Sequence, residues 1–429
     1  MTDVVVVGAG VAATAAALSA AREHARVVLV DGGTGASSLA TGAIDALPWQ
    51  NAAAASDREA SANGPAARSG AVDPRGRAVL DALGGYALPD RPALLLTTAG
   101  IARRADGHDA GLLNVAPLAG RRIGVVRCER PGWDAAAFAA AWGDSFVVVD
   151  ATVLRYLDER VLPDGDFAAR CDDAGRLGWL SERLREAVAT AGGSPIAALV
   201  LPPSLGIERA RAAELSARVG LPCGEALAAP GGPAGLRFER ARDRALEAAG
   251  VERVRARASE VTRESDRWCV ALDGGRTALA DALVLATGGL IGGGIEYAPS
   301  EAMIASVLPP FARVPFRATV AIEGGSPLGM HGRPLELPGS LFGVAPESLA
   351  WPFAREAPMD RVGVLADADG RVSPGLYAAG DLVADAPRTW LHALESGARA
   401  GTNAARDAGA ATSGHALATA GGAASPSRP

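Results

Sequence analysis

The sequence contains no lysine: all 42 of its basic side chains are arginine. That excludes chemistry through a lysine Schiff base. With so much alanine and glycine beside it, the arginine reads as a bias of composition. Cysteine is scarce and unpaired. Cys128, Cys171, Cys223 and Cys269 make no CxxC or CxxxxC spacing, so a disulfide scaffold, an iron–sulfur cluster and a dithiol redox centre have no support. Buried reduced thiols are expected instead, and no metal site. An apolar run of roughly 18 residues, enough to span a bilayer, is missing too. The opening DVVVVGAG enters a glycine motif too soon for a signal peptide, so a cytoplasmic chain without direct membrane insertion is expected. The formal net charge of −6 gives no broad basic field, and nucleic acid is not an expected partner.

What is present points to an α/β fold. Val4–Val7 is a continuous β-branched run, Ala12–Arg22 is Ala-rich without a breaker, and Val27–Val30 is a second buried run. Together they form a βαβ unit at the start of the chain. Its glycine loop, Gly8-Ala9-Gly10-Val11-Ala12-Ala13, has the form GxGxxA. Gly8 serves the tight turn, Gly10 lets a pyrophosphate reach the backbone, and Ala13 allows close helix–strand packing. Asp31, followed by Gly32, closes the second strand about twenty residues on, where a carboxylate can take the hydroxyls of an adenosine ribose. No second glycine loop with a following acid occurs, so no nicotinamide site is expected. Electrons should enter from an organic small-molecule substrate.

Two downstream stretches favour FAD over NAD. GLYAAGDL, Gly375–Leu382, offers Gly380 and Asp381 at a turn, and LATGG, Leu285–Gly289, offers Ala286, Thr287 and Gly288. In this order they resemble the two-dinucleotide-binding-fold flavoprotein superfamily. The loop after Asp31, GTGASSLATGAIDALPW, would then face the flavin, with Ser37, Ser38 and Thr41 as hydroxyl donors and Gly42 close to the ring. FMN is less favoured, because Asp31 and the helix N-terminus are adenosine and pyrophosphate features.

The expected architecture is a Rossmann-like FAD-binding domain with a central parallel sheet, interrupted by a smaller α+β substrate or cap domain. The first is assigned to 1–50, 205–297 and 361–407, and the second to 77–204 and 298–360. Residues 51–76 read as a flexible insertion and 408–429 as a disordered tail. Oxidation of an alcohol needs a base and an anion clamp. His392 with Arg388, His331 with Arg333, and Arg355 are the candidates.

SSLATGAIDALPW, LPPSLGIERA, ADALVLATGGLIGGGI and WPFAREAPMDRVGVLADADGRVSPGLYAAGDLV follow one another as in the anaerobic glycerol-3-phosphate dehydrogenase B family, which this chain resembles over most of its length. The resemblance implies a flavin-dependent dehydrogenase subunit. It would oxidise sn-glycerol 3-phosphate to dihydroxyacetone phosphate beside a catalytic flavin subunit. An iron–sulfur membrane-anchor subunit would pass electrons to quinone and hold the complex at the inner face of the membrane. Two alternatives stay open: a stand-alone FAD oxidoreductase for another small hydroxy or amino acid, and a non-catalytic flavin electron relay.

Overall fold

Val4, Val5, Val6 and Val7 are all buried, alternately on the two faces of one strand. The computed structural model describes residues 2–45, 72–289, 291–299, 316–320, 335–337 and 363–420, and it opens with β1 (Thr2–Val7), α1 (Val11–Arg22) and β2 (Val27–Asp31). Val4 and Val6 join one core with α1, while Val5 and Val7 join another with Trp268 and Val270. That is the period-two split of a strand covered on both sides.

The chain then leaves this sheet. Helix α2 (Pro74–Leu83) begins inside the stretch expected to be a flexible insertion, and this is a correction. Asp73 accepts the Arg75 N–H at 2.7 Å and Pro74 takes the first helical position, so DPRG is an N-cap followed by a pre-set φ. Val79, Leu80 and Leu83 pack into the first core, which moves residues 77–83 out of the interrupting region. The remainder of that insertion, 51–71, lies outside the described residues. Next, β3 (Gly107–Asp109) pairs antiparallel with both Ala43–Ile44 and Tyr86–Ala87, and Ala93–Leu96 forms a hairpin with Ala102–Ala105.

A second sheet follows, built from β4 (Arg122–Val126), α3 (Ala135–Ala140), β5 (Phe146–Val149), α4 (Ala174–Thr190), β6 (Ile196–Leu201), α5 (Ala212–Val219) and β7 (Cys223–Glu225). Its strands are all parallel in the order β7-β6-β4-β5. The order reverses between β4 and β6, which makes the region doubly wound. It has its own core, from Phe138 and Phe146 to Leu199 and Leu215. Because β7 belongs here, residues 205–225 sit with the second sheet and not with the dinucleotide-binding one. The signal missed was the stop at Gly220, left-handed at φ 89° after α5, which hands the chain on to a three-residue strand.

The return to the first sheet is made by α6 (Pro233–Ala248), which leads into β8 (Glu252–Arg255), the meander β9 (Ala258–Glu264) and β10 (Arg267–Leu272), and the long β11 (Arg276–Leu285). Strand order is β8-β2-β1-β11-β10-β9. The second half of β11 pairs in parallel with β12 (Leu376–Ala378). Between them, Ile295–Pro299, Phe316–Val320 and Leu335–Leu337 form a three-stranded antiparallel sheet; the rest of the region 298–360 lies outside the described residues.

The last helix, α7 (Trp390–Ala420), continues well past Ala408, where a disordered tail was expected. Its sequence there is dominated by alanine, the best helix former. Residues 421–429 lie outside the described set. No helix among the described residues is long and apolar enough to cross a membrane. α7 lies on α1, and contact is close because the facing positions are small. A Cβ at Gly397 would stand 2.2 Å from the Ala12 carbonyl oxygen, and one at Gly401 would stand 2.0 Å from that of Ala16. Replacing Gly401 with alanine should therefore force α7 off α1 and cost about 1–3 kcal/mol through overpacking. Gly409→Ala, where a Cβ meets nothing within 4 Å, should instead be neutral or gain up to about 1 kcal/mol. Denaturant melts of the two variants check the contrast.

Candidate functional site

In an open α/β sheet the carboxyl ends of the parallel strands gather into one crevice. Here β2, β1, β11 and β12 end side by side, and a cleft of about 690 Å³ runs across their ends. One end is lined by Val30, Gly32 and Gly33 after β2, with Arg257 and Ser259 from the meander. The middle is the glycine loop and the first turn of α1, residues 7–12. The far end is Ala286, Thr287 and Gly288 after β11, Asp381 after β12, and Arg388, Thr389 and Trp390 leading into α7. The volume is typical of a ligand cleft.

The middle of the cleft is arranged for an anion. Gly8 has φ 140°, and a Cβ there would stand 2.1 Å from the Ala286 carbonyl oxygen, so only glycine lets β1 turn this close beneath β11. α1 starts at Gly10, which has no side chain to cap the helix. Ser37 supplies that cap from the loop: its Oγ accepts the Val11 N–H at 2.9 Å. The hydroxyl proton of Ser37 remains to be donated. At the far end, Thr287 has a buried Oγ1 with no hydrogen-bond partner among the described residues, and a buried polar atom left so costs free energy until a ligand or water meets it. These groups fit a dinucleotide. The backbone around Gly10 and Val11 would hold its pyrophosphate, Gly32 and Gly33 would receive the adenosine end, and Ala286–Gly288 with Asp381 would meet the flavin end.

The structure brings together Gly8, Gly10, Val11, Ala12, Gly32, Ser37, Ala286, Thr287, Gly288, Asp381 and Arg388 of the residues expected from the sequence. Others do different work. Asp31 is 9 % exposed and lies behind Gly32; its Oδ2 takes Arg253 at 2.7 Å and its Oδ1 takes the Gly33 N–H at 3.1 Å. Ala13 packs under Gly8, and a Cβ at Gly380 would press on Ala12. Ser38 turns away from the cleft and donates to Glu239 Oε1 at 2.6 Å. Thr41 and Gly42 do not line the cleft; Gly42 instead abuts Leu112, Asp109 and Ala234. The part of that loop on the cleft wall narrows to residues 33–37 and Ala40, because α6 holds the Ser38 side.

His392 is likewise not on the cleft wall. It is half-buried on α7, with Nε2 buried and unpartnered among the described residues. Burial first, and Arg399 second, lower its pKa below the ordinary 6.5. His331, Arg333 and Arg355 lie outside the described residues. His108 is buried in β3. The four cysteines are free and buried. Burial pushes the thiols of Cys128, Cys171 and Cys223 up to about 12, which suits inert core residues.

Sequence reasoning missed Arg242, Arg257 and Trp390. Arg242 is buried on α6 and donates to the Ala9 carbonyl at 2.9 Å, inside the glycine loop. Trp390 lines the cleft and stacks at a tilt on Tyr86, with ring centroids 5.3 Å apart. Nothing in local spacing marks an arginine more than 200 residues from its partner as part of a loop (|i−j| 233).

Comparison with known proteins agrees with this geometry. A family model described as "FAD binding domain" matches residues 3–70, and one described as "FAD-NAD(P)-binding" matches 236–290. The cofactor is FAD. A search of curated proteins finds no match. Among solved structures, similarity extends to a thioredoxin reductase from Gloeobacter violaceus, at 12% identity over 100% of this chain and 98% of that one, with a TM-score of 0.33. Glycine oxidase from Bacillus cereus ATCC 14579 gives 12% identity over 96% and 98%, TM-score 0.32. The 3-ketosteroid-delta4-(5alpha)-dehydrogenase from Rhodococcus jostii RHA1 gives 12% over 94% and 96%, TM-score 0.34. What those proteins act on is not transferred to this chain.

Two outcomes follow from the site. Ser37→Ala removes the cap of α1, which is worth about 0.5–2 kcal/mol of stability, so the ligand-free variant should melt at a lower temperature. Losing the Ser37 hydroxyl as a donor to a charged phosphate, about 1.5–3 kcal/mol, should weaken FAD binding about tenfold or more. The fold disfavours protonation of His392. The unfolded chain therefore binds its proton first as pH falls below 6.5, and stability contributed by the neutral form is lost from there down through the lowered folded value. His392→Gln should flatten that part of a melting-temperature profile between pH 7 and 5.

Proposed function

We propose that this FAD-dependent oxidoreductase oxidises sn-glycerol 3-phosphate to dihydroxyacetone phosphate, and that electrons leave through partner subunits to quinone. The observation that carries the direction of electron flow is the state of the second parallel sheet. Its strand order reverses between β4 and β6, the place where an α/β sheet would bind a second dinucleotide. The N–H groups of Ser204 and Leu205 just past β6 donate to the Glu225 carboxylate, the former at 2.6 Å. Asp172 likewise takes the N–H groups of Ile207 and Glu208. These four backbone donors past β6 are spent on the chain's own carboxylates and not left for a phosphate. This favours reduction by an organic substrate over reduction by a nicotinamide.

Bound FAD supplies the acceptor for the two electrons and the hydrogen leaving the carbinol carbon. The chain's contribution is placement. Arg388 lines the cleft, as Thr287 and Asp381 do, and a guanidinium there can fork onto a phosphate. Trp390 and Ala393 close the apolar side of that end. The substrate itself, the catalytic flavin subunit, the iron–sulfur membrane-anchor subunit and quinone come from the sequence resemblance, which names one phosphorylated alcohol and one route out.

Anaerobic mixing of the FAD-loaded protein with sn-glycerol 3-phosphate tests this. The flavin absorbance should bleach, and air should restore it slowly. Arg388→Gln should raise the concentration needed for half-bleaching by tenfold or more, about 1.4 kcal/mol per tenfold. No bleaching with this substrate would sink the reading. Rapid reoxidation by air with peroxide release would assign a stand-alone oxidase instead.

A further inference from the structure

Behind the cleft, four charged side chains from three elements form one unbroken chain. Arg242 on α6 donates from Nη1 to the Ala9 carbonyl at 2.9 Å and from Nε to Asp243 Oδ1 at 2.8 Å. Asp243 also holds Arg253 Nη1 of β8 at 3.0 Å. Arg253 Nη2 then holds Asp31 Oδ2 at the end of β2, at 2.7 Å. The far oxygen of Asp31 takes the Gly33 N–H. Two cations and two anions alternate, so the chain is neutral as a whole. Ala9 and Gly33, its backbone ends, line the cleft; the four charged residues do not.

Each end sets something the dinucleotide needs. The Ala9–Gly10 peptide is planar and trans, so its carbonyl and N–H point in opposite directions. Drawing the carbonyl onto Arg242 turns the Gly10 N–H the other way. At the other end Arg253 and the Gly33 N–H take the two oxygens of Asp31, which ties the Gly33 backbone on the cleft wall to the same chain of charges. Asp243 is the one member that touches both arginines. Burial works against its charge, but hydrogen bonds from Arg242, together with the charges of Arg242 and Arg253, override it and keep its carboxyl below the ordinary 3.8.

We propose that Asp243 is a positioning residue of the FAD site: by holding Arg242 and Arg253 together it couples the pyrophosphate loop at Ala9, through Asp31, to the Gly33 backbone at the adenosine end of the cleft, so that pyrophosphate and adenosine are received in one preset register. Without Asp243 the two guanidiniums repel and each end relaxes by itself. The gain is preorganisation, since the protein orders its own groups before the ligand arrives.

The test uses the deflavinated full chain. Asp243→Asn keeps the shape of the side chain and removes its charge. Binding of FAD and of ADP, which carries the adenosine and pyrophosphate alone, is titrated, and the melting temperature of the ligand-free protein is measured alongside. The expected result is a loss of about tenfold or more for both ligands, with the ligand-free melt little changed. Arg242→Gln and Arg253→Gln, singly and together, provide the second measurement. The double variant should lose less affinity than the product of the two single losses, because each single change already breaks the chain. The proposal is overturned if Asp243→Asn binds ADP like the parent, or if the two arginine variants multiply independently. It also fails if affinity falls only in step with the melting temperature. Failure of the parent itself to bind FAD would strike at the cofactor assignment and not at the role of Asp243.

Discussion

Arg237 brings a full positive charge into the seam between the two sheets, and much of the molecule is arranged around satisfying it. The side chain is 4 % exposed. Nη2 meets Asp109 of β3 at 2.9 Å and Glu225 of β7 at 2.7 Å, while Nη1 donates to the Gly206 carbonyl at 2.8 Å. Burial alone would disfavour the charge, but the two carboxylates override it and hold the guanidinium protonated. An ion so placed is tolerated only while every partner stays. So α6, β3 and β7 must keep their relative positions, and with them the second sheet is fixed against the first.

The same helix reaches the cofactor. Within five residues of Arg237, α6 carries the groups that shape the cleft loop. A Cβ at Gly235 would stand 1.8 Å from the Ser38 carbonyl oxygen, so the loop can lie on the helix only because that position is bare. Glu239 takes the Ser38 hydroxyl, and Arg242 takes the Ala9 carbonyl. A shift of α6 made at the seam would therefore be felt at both edges of the glycine loop. The placement of the second sheet and the shape of the FAD cleft are set by one rigid element, which is the kind of contiguous physical link that coupling between regions requires.

The parts of this arrangement that were legible in the sequence are local. Val4–Val7, GxGxxA and VVLVD announce strand, turn, helix and strand within about thirty residues of each other, and the cleft sits where they place it. LATGG was legible because it follows a buried run, and GLYAAGDL because it contains one. What could not be read depends on distant pairing. Ser37 and Ser38 are adjacent and chemically identical, yet one caps α1 and the other binds Glu239; only the position of α6 separates them. Asp31 was read as an acid awaiting a ribose, and its sequence context gives no sign of Arg253, a partner 222 residues away. The parallel second sheet stayed hidden for a related reason. β7 is three residues long and buried by pairing with β6, with no hydrophobic run of its own.

The missing lysines take on a physical meaning at this point. Four arginines, Arg130, Arg176, Arg237 and Arg242, are 8 % exposed or less. Each reaches at least two acceptors. Arg130 spans the carbonyls of Glu159 and Leu162 and the Asp164 carboxylate, and Arg176 spans the Val153 carbonyl and the Glu159 carboxylate. Arg237 ties two carboxylates and a carbonyl, and Arg242 a carbonyl and a carboxylate. A guanidinium has five donors on a flat fork and sheds its hydration more readily than an ammonium, so it can bridge groups on separate elements while buried. A lysine at Arg237 would bring one compact charge to partners set around a plane. Whatever bias removed lysine from the composition, the folded chain uses its replacement at the seam and behind the glycine loop, where a point charge would leave an acceptor unmet.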